Sequence, residues 1–473
     1  GTIAHSGSKA FLEALQSDGE KNDSLIGRFG VGFYSVFMVA DKVQAFTRTW
    51  KKDGVGQCWE SDGSGSYTIE ESSDQQRGTK VVINLKEDFS EFAKEDRVKE
   101  IIKKYSAFVQ FPVFVNGEKV NTVDAIWLRS KNEIKDEEYE EFYKFQSNDY
   151  EAPLMRMHFS ADAPLEINSL LFVPKRNMEK MGMFRNENKV ALHCRKVLID
   201  PEPKALFPEW LRFLKGVVDS SDLPLNVSRE VMQDSELLRK LNQVLTKRFL
   251  RFLTEQSKKE PDDFLSFWNE FGVLIKEGAA TDFTYKEDLA KLLRFESTAL
   301  EPGKLTGLDE YIDRMAKDQK DILFLFGKSR QSIEAGPYLE ALKARSLEVL
   351  LLTEPVDEYV MQSVREYKEK KIISADSDEL KLEKLDQEPE GKALNKKDTK
   401  SLCKWLKESL KEKVSEVETG DRLIDSPVCI VGGDGLGGAS ARRVMKMMQG
   451  GEDAMPASPV KLQVNQRHPI IKG

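Results

Sequence analysis

Cysteine and histidine are scarce in this chain, with four of each among 473 residues. The cysteines lie far apart and form no C-x-x-C pair, so neither a disulfide scaffold nor a zinc site of the usual spacing is indicated. We therefore expect a reducing compartment and no metal site within this chain. The cysteines are Cys58, Cys194, Cys403 and Cys429.

Long apolar runs and an excess of basic residues are also absent. No run approaches the roughly 18 apolar residues that a membrane-spanning helix needs, so we predict no membrane span. The 80 acidic residues outnumber the 72 basic ones, which argues against a nucleic-acid partner. The chain opens at Gly1 without a basic or apolar leader. We expect either that a leader was removed or that the chain was cut from a longer one.

The remaining composition is globular, with 40% hydrophobic and 32% charged residues, and the length suggests about three domains. Strand-like segments separated by glycine and aspartate predict an antiparallel meander between residues 42 and 85. From about residue 125, acid-rich helices alternate with apolar strands, and the polar stretch 386–400 has the composition of a linker. We predict an α+β / α/β multidomain fold with domains at 1–120, 121–385 and 386–473.

Two local patterns could contact phosphate. In Gly27-Arg28-Phe29-Gly30-Val31-Gly32-Phe33, three glycines let the backbone approach a ligand, and the following helix start can present N–H groups to an anion. No Gly-Lys-Ser/Thr follows, so this is not a P-loop; a simple tight connection is the alternative. Arg229, on a loop before a long amphipathic helix, could clamp phosphate in a bidentate manner. A surface arginine paired with an acid is the alternative there.

A third glycine-rich pattern, Gly433-Asp434-Gly435-Leu436-Gly437-Gly438, is a literal G-x-G-x-x-G between a strand-like and a helix-like segment. Only 35 residues follow it, too few for the second half of a dinucleotide-binding sheet. A flexible tether explains the glycines better.

Methionine and aromatic side chains indicate a surface for varied protein partners. Met178, Met183 and Phe184 lie in a polar, glycine-containing loop, where such adaptable side chains suit several partners. The alternative is a loop folded over its own core. Trp210 lies in an apolar stretch and would form a hydrophobic contact site if it were exposed.

Longer segments share their sequence with one protein family and follow its order along the chain. They are GTIAHSGSKAF at 1–11, IGRFGVGFYS at 26–35, PEWL at 208–211, GVVDS at 216–220, LPLNVSRE at 223–230, AKLLRF at 290–295 and PIIK at 469–472. On these segments the chain resembles the heat-shock protein 90 chaperones almost from end to end. The resemblance implies part of a two-layer α/β sandwich ATPase domain of the histidine kinase/heat-shock protein 90 type. An α/β middle domain and the start of an α+β C-terminal domain would follow it.

The same resemblance implies ATP and Mg²⁺ as cofactors. It places the backbone of Gly30, Val31, Gly32 and Phe33 near the phosphates, Ser6 near the ribose and phosphates, and Thr79 near the adenine. Arg229 would reach the γ-phosphate from the middle domain, with Gln233 beside it. At the position before Ser6 the chain has His5 where the family usually has Lys or Arg.

The resemblance further implies client proteins and co-chaperones as partners, with Trp210, Met178, Met183 and Phe184 as client contacts, and a homodimer for the complete protein. The family's catalytic glutamate and magnesium-binding asparagine would precede Gly1, and its dimerisation helices would follow 469–472. We therefore expect this chain alone to be inactive as an ATPase. The short junction from 114 to 127 resembles the mitochondrial paralogue and its matrix location, with the bacterial, cytoplasmic form as the alternative. The alternative functional hypothesis is an ATP-independent scaffold that holds client proteins.

Overall fold

A computed structural model describes residues 32–109, 111–121, 124–182, 185, 188–223, 236–317, 319–382, 393–420, 422–431 and 459–472. Contacts divide the chain into a first unit of 1–173, 189–206 and 214–241 and a second unit of 174–188, 207–213 and 242–473. The three-domain division stays a prediction. Sequence assignments outside the described residues are those of Ser6, Gly30, Val31, Met183, Phe184, Arg229, Gln233 and the 433–438 loop.

The first unit opens with an antiparallel sheet that follows a 3₁₀ helix at Gly32–Met38. Its strands are β1 (Ala40–Arg48), β2 (Gln57–Ser61), β3 (Thr68–Glu71) and β4 (Gly78–Leu85), in the order β3-β2-β1-β4. The predicted meander is therefore wrong in one respect, because β4 pairs with β1 and not with β3. The connection at 72–77 therefore leads from one edge of the sheet to the other. There β4 pairs with the nine-residue strand β1, which is longer than the four-residue strand β3.

A short hairpin follows a 3₁₀ helix at Glu87–Ala93 and helix α1 (Glu95–Tyr105). Its strands are β5 (Phe114–Val115) and β6 (Glu118–Lys119). Asn116 and Gly117 take φ values of 48° and 87° in its turn, as a tight Asn-Gly turn requires. Lys99 of α1 lies 2.6 Å from the Glu118 carboxylate, which ties the hairpin to the helix.

A mixed sheet forms the rest of the first unit. Helix α2 (Asp136–Ser147) packs beside it. The order of the strands is β10-β9-β11-β8-β7, and only β9 and β11 are parallel. They are β7 (Met155–Ala161), β8 (Ile167–Val173), β9 (Lys189–Cys194), β10 (Val197–Asp200) and β11 (Lys215–Asp219). The core joins Trp127, Phe142 and Phe172 with Phe108.

The second unit contains most of helix α3 (Glu236–Lys259), helix α4 (Pro261–Thr281) and an α/β layer. The sheet of this layer has the order β13-β12-β15-β14-β17-β16, in which β15, β14 and β17 are parallel. All residues of β14 and β15 are buried. Its strands are β12 (Phe295–Ser297), β13 (Leu305–Thr306), β14 (Ile322–Phe326), β15 (Leu350–Leu352), β16 (Glu366–Tyr367) and β17 (Lys370–Ser374). Its helices are α5 (Lys286–Ala290), α6 (Leu308–Arg314), α7 (Arg330–Glu334), α8 (Glu340–Lys343) and α9 (Pro355–Val364). The mixed α and β fold class expected from the sequence is confirmed.

The C-terminal part of the second unit is a small sheet with the order β18-β20-β19. Its elements are α10 (Lys396–Leu410), β18 (Val414–Thr419), β19 (Val428–Val431), β20 (Val460–Val464) and α11 (Pro469–Lys472). Two charged side chains join this sheet to the α/β layer. Buried Arg422 donates to the carbonyl oxygens of Ala375, Ser377 and Leu380. The Glu340 carboxylate accepts from the backbone N–H groups of 424–426.

Candidate functional site

One face of the first sheet brings together the described residues that were expected to meet a nucleotide. Cα partners share a face of a sheet, and side chains alternate along each strand. Because Thr79 is paired with Thr47 and Val81 with Ala45, and Ala45 in turn with Trp59, these residues share one face. The Phe33 ring packs edge-on against the Trp59 ring at 5.7 Å. The helix that begins at Gly32 therefore lies on the face that carries Thr79.

The exposed part of this face is apolar, with a hydroxyl pair at one end. Val81 and Ile83 are 44% and 43% exposed. The hydroxyls of Thr47 and Thr79 lie 3.0 Å apart. An apolar strip beside a hydroxyl can pack against a flat base and hydrogen-bond its edge. Lys86 fixes the far end of the 3₁₀ helix, since its ammonium donates to the carbonyl oxygens of Phe37 and Met38 at 3.2 Å.

The segment that leads to Arg229 leaves the second sheet at the end of β11. Asp219, the last residue of that strand, is 3% exposed. Its Oδ2 accepts from the Trp127 indole N–H at 3.1 Å and from the Lys196 backbone N–H at 2.9 Å. Burial raises the pKa of this carboxyl group, although these hydrogen bonds oppose the shift. Sequence reasoning missed both Asp219 and Trp127 as possible site residues, since their contact spans 92 positions.

In the second unit, Met178 lies on a 3₁₀ helix at Met178–Met181 that is anchored on α4. The Asn177 backbone N–H donates to the Glu270 carboxylate at 2.9 Å, and the Asn177 amide donates to the Glu270 carbonyl oxygen at 3.0 Å. Met178 itself is half-buried. The structure thus presents part of the Met178 side chain on a fixed support.

Buried Arg212 is the central side chain of this support. It donates to both oxygens of Glu179, at 2.8 and 3.0 Å, and to both oxygens of Glu277, at 3.0 and 2.9 Å. Burial alone would lower the pKa of Arg212, but the bonds to the two carboxylates raise it. The sequence signal for Arg212 is a lone arginine within an apolar stretch, whose acidic partners lie 33 and 65 positions away.

Trp210 requires a correction. Its side chain is only 3% exposed, so a client cannot touch the indole ring in this conformation. The indole N–H donates to Asp282 at 3.0 Å. A Cβ added at Gly278 would lie 2.8 Å from the ring, which shows how closely α4 approaches it. Tryptophan packs here because glycine leaves room for the ring on the helix surface.

Within the described residues, no group of three or more His, Cys, Asp or Glu side chains is arranged to hold a metal ion. The same residues contain no helix that is long and apolar enough to cross a membrane.

A family model described as Hsp90 protein matches residues 114–473. The chain belongs to the Hsp90 family. Among its Hsp90-family relatives, "Chaperone protein HtpG" of Desulfitobacterium hafniense (strain Y51) is 52% identical over 100% of this chain and 76% of its own length. "Heat shock protein 75 kDa, mitochondrial" of Rattus norvegicus is 42% identical over 100% of this chain and 68% of its own length.

A third Hsp90-family relative, "TNF receptor-associated protein 1 homolog, mitochondrial" of Dictyostelium discoideum, is 40% identical over 100% of this chain and 66% of its own length. The resemblance to the Hsp90 family seen in the sequence is therefore confirmed. Identity to the bacterial relative exceeds identity to these two mitochondrial ones, so sequence similarity does not favour the mitochondrial paralogue. The chain spans about three quarters of the length of the bacterial relative.

Proposed function

We propose that the full-length protein containing this chain is an ATP-driven chaperone that works as a dimeric clamp. One observation carries the proposal: relatives named as chaperones match the whole of this chain, including the LPLNVSRE segment that contains Arg229. The sheet face with Gly32, Phe33 and Thr79 supports a base-binding site in the same protein.

In this proposal ATP binds the sheet face. The backbone of Gly30 to Phe33 lies near the phosphates, and Ser6 lies near the ribose. Mg²⁺ is held by residues upstream of this chain and supplies charge neutralisation to the phosphates. Arg229 approaches the γ-phosphoryl oxygens from another domain, with Gln233 beside it, so that hydrolysis requires the domains to dock. An arginine in this role typically contributes about 10³–10⁵ in rate. Binding and hydrolysis then bias a two-state clamp.

Clients are proposed to contact Met178 and the adjoining Met183 and Phe184, while Trp210 supports this surface from within the core. Flexible methionine side chains can adapt to different apolar partners. The Arg212 network anchors Glu179 of the 3₁₀ helix that carries Met178, so that adaptation at Met178 is confined to its side chain. Co-chaperones are proposed as additional partners. The mitochondrial matrix stays a proposal beside the cytoplasm, and fluorescence imaging of the tagged full-length protein in its own cells distinguishes them.

Steady-state ATP hydrolysis by the full-length protein tests the proposal. We expect Arg229→Ala to lower kcat at least about a hundredfold while ATP binding, measured by calorimetry, persists. Arg251→Ala is the control, since Arg251 is 70% exposed and pairs along its own helix with Glu255. An unchanged kcat in Arg229→Ala contradicts the proposed mechanism. Suppression of client aggregation without any hydrolysis would instead indicate the ATP-independent scaffold.

A further inference from the structure

Helix α10 concentrates positive charge on one side, although the whole chain is acidic. Between positions 396 and 413 the chain has seven lysines and three acidic residues. At about 100° per residue, five of these lysines fall within an arc of about 100° on the helix surface and extend over about 16 Å along its axis. We call this arc the lysine stripe. Its members, all exposed, are Lys396, Lys397, Lys400, Lys404 and Lys407.

Neighbouring acids hardly neutralise the lysine stripe. Among the described side chains, only Lys404 of the five forms an ion pair, with the Glu408 carboxylate at 3.8 Å, and these two side chains are 77% and 66% exposed. On α3, by contrast, Lys240 pairs with Glu236 at 2.9 Å. The other four lysines of the stripe have no acidic partner in the described part of the chain.

The lysine stripe opposes the stability of its own helix. Lys400 lies four residues from both Lys396 and Lys404, and like charges at this spacing repel each other across one helical turn. Lys396 and Lys397 are also the first two residues of α10, where the positive end of the helix macrodipole disfavours cations. The local structure therefore does not account for these lysines, whereas contact with an anionic partner would relieve both repulsions.

The remaining sides of α10 narrow the kind of partner. Leu402, Leu406 and Leu410 are half-buried on the side that packs against β18, so this apolar side is not available to a lipid surface. Trp405 lies about a quarter of a turn from the lysine stripe, and it is 60% exposed. An exposed tryptophan beside a row of lysines offers an apolar anchor to a protein partner.

A short acidic segment of polypeptide fits the lysine stripe better than a long polyanion does. In an extended segment, carboxylates on every second residue lie about 6.6 Å apart, close to the roughly 5.4 Å between successive turns of α10. About five or six residues would then cover the stripe. A nucleic acid would extend beyond it over a chain whose net charge is −8, which would repel the phosphates.

We propose that the lysine stripe and Trp405 form a docking surface for an extended acidic segment of a partner protein. An apolar side chain of that segment packs on Trp405. The surface uses neither the nucleotide face nor Met178, so this inference goes beyond the proposed function and does not depend on ATP hydrolysis. The partner is selected by its acidic residues and one apolar side chain.

Fluorescence anisotropy with the 473-residue chain and a labelled peptide tests the proposal. The peptide is about ten residues long, alternates glutamate with serine and carries one central leucine. We expect binding that weakens as the salt concentration is raised. The triple variant Lys397→Gln/Lys400→Gln/Lys404→Gln should raise Kd about tenfold, and an unchanged Kd overturns the proposal.

A second triple variant controls for net charge, because it removes the same number of exposed lysines from other elements of the second unit. It should leave Kd within about twofold of the wild-type value. The unfolding temperature separates binding from folding, since glutamine in the lysine stripe relieves repulsion and should not lower Tm. A lower Tm would assign these lysines a structural role and overturn the proposal. The control substitutions are Lys304→Gln, Lys328→Gln and Lys371→Gln.

Trp405→Ser tests the apolar anchor. It should weaken binding of the leucine peptide about fivefold and leave binding of the same peptide with serine in place of leucine unchanged. Equal losses for both peptides overturn the role of Trp405. A thymidine oligonucleotide and vesicles of equal parts phosphatidylserine and phosphatidylcholine test the other anionic partners. If either binds more tightly than the peptide and loses affinity in the stripe variant, the acidic protein segment is the wrong partner.

Discussion

Removing one partner of the buried ion pair between α4 and α9 should strongly destabilise the second unit. The Lys276 ammonium lies 2.7 Å from the Asp357 carboxylate, and the two side chains are 7% and 2% exposed. Lys276 also contacts Glu354 at 2.9 Å, but that carboxylate is 53% exposed. Asp357→Leu therefore leaves a buried ammonium whose remaining anionic partner is largely in water.

The size of the expected loss in free energy of unfolding follows from the burial of the two charges and not from the distance between them. Breaking a buried pair by removing one partner typically costs about 3–5 kcal/mol. Glu354 remains, and the Lys276 ammonium lies 5.3 Å from the Phe295 ring centre, so we expect the lower end, about 3 kcal/mol. The double variant Lys276→Met/Asp357→Leu removes both charges and should recover most of this loss, because apolar replacement of a whole buried pair is often neutral.

Differential scanning calorimetry of the chain measures the effect. For about 3 kcal/mol we expect Tm of the transition that contains α4 and α9 to fall by roughly 6–12 °C. Asp288→Ala is the matched control. Its partner Lys291 lies at the same 2.7 Å, but these two side chains are 44% and 43% exposed, so the loss should stay within about 1 kcal/mol. Equal losses in Asp357→Leu and Asp288→Ala would refute the argument from burial.

Two further predictions concern buried charge and protonation. Burial lowers the pKa of His193 from 6.5 to about 4. The His193 imidazole therefore stays neutral in the folded chain, whereas in the unfolded chain it takes up a proton as the pH falls below about 6.5. At about 1.4 kcal/mol per pH unit, this removes about 3 kcal/mol of stability between pH 7 and 4. His193→Leu should lack that loss in urea unfolding at each pH, and parallel pH profiles would contradict the reasoning. Arg212→Met should release the Met178–Met181 helix and speed amide exchange at 177–182 roughly a hundredfold. Lys175→Ala, which removes an exposed side chain just before that helix, should leave exchange nearly unchanged.

Local signals in the sequence predicted local structure well. Asn116 and Gly117 form the expected turn because the preference for positive φ is a property of those two residues alone. The strands of the first sheet span residues 40–85, within about two residues of the predicted span 42–85, since alternation and the intervening glycines act over short distances. The family, and with it most of the expected site, was recognised from seven motifs of four to eleven residues that follow one order along the chain.

Contacts between distant residues could not be predicted in this way. The pairing of β4 with β1 depends on which strand offers the longer ladder of backbone pairs, and that choice is made in three dimensions. The sequence neighbours of Trp210 do not indicate whether its side chain is exposed or buried. Its burial depends on Gly278 of α4, which leaves room for the indole ring. From the sequence alone Asp219 looks like an ordinary acidic residue at the end of a strand, because its hydrogen bond with Trp127 is formed only in the folded chain.

The order of strands in the second sheet has a consequence for synthesis of the chain. β11 lies between β8 and β9, although it follows both in sequence. Until residues 215–219 leave the ribosome, β8 and β9 each present an unpaired edge, and unpaired edges of apolar strands invite aggregation. A nascent chain of this Hsp90-family protein is therefore expected to be most prone to edge-to-edge association before its eleventh strand is inserted.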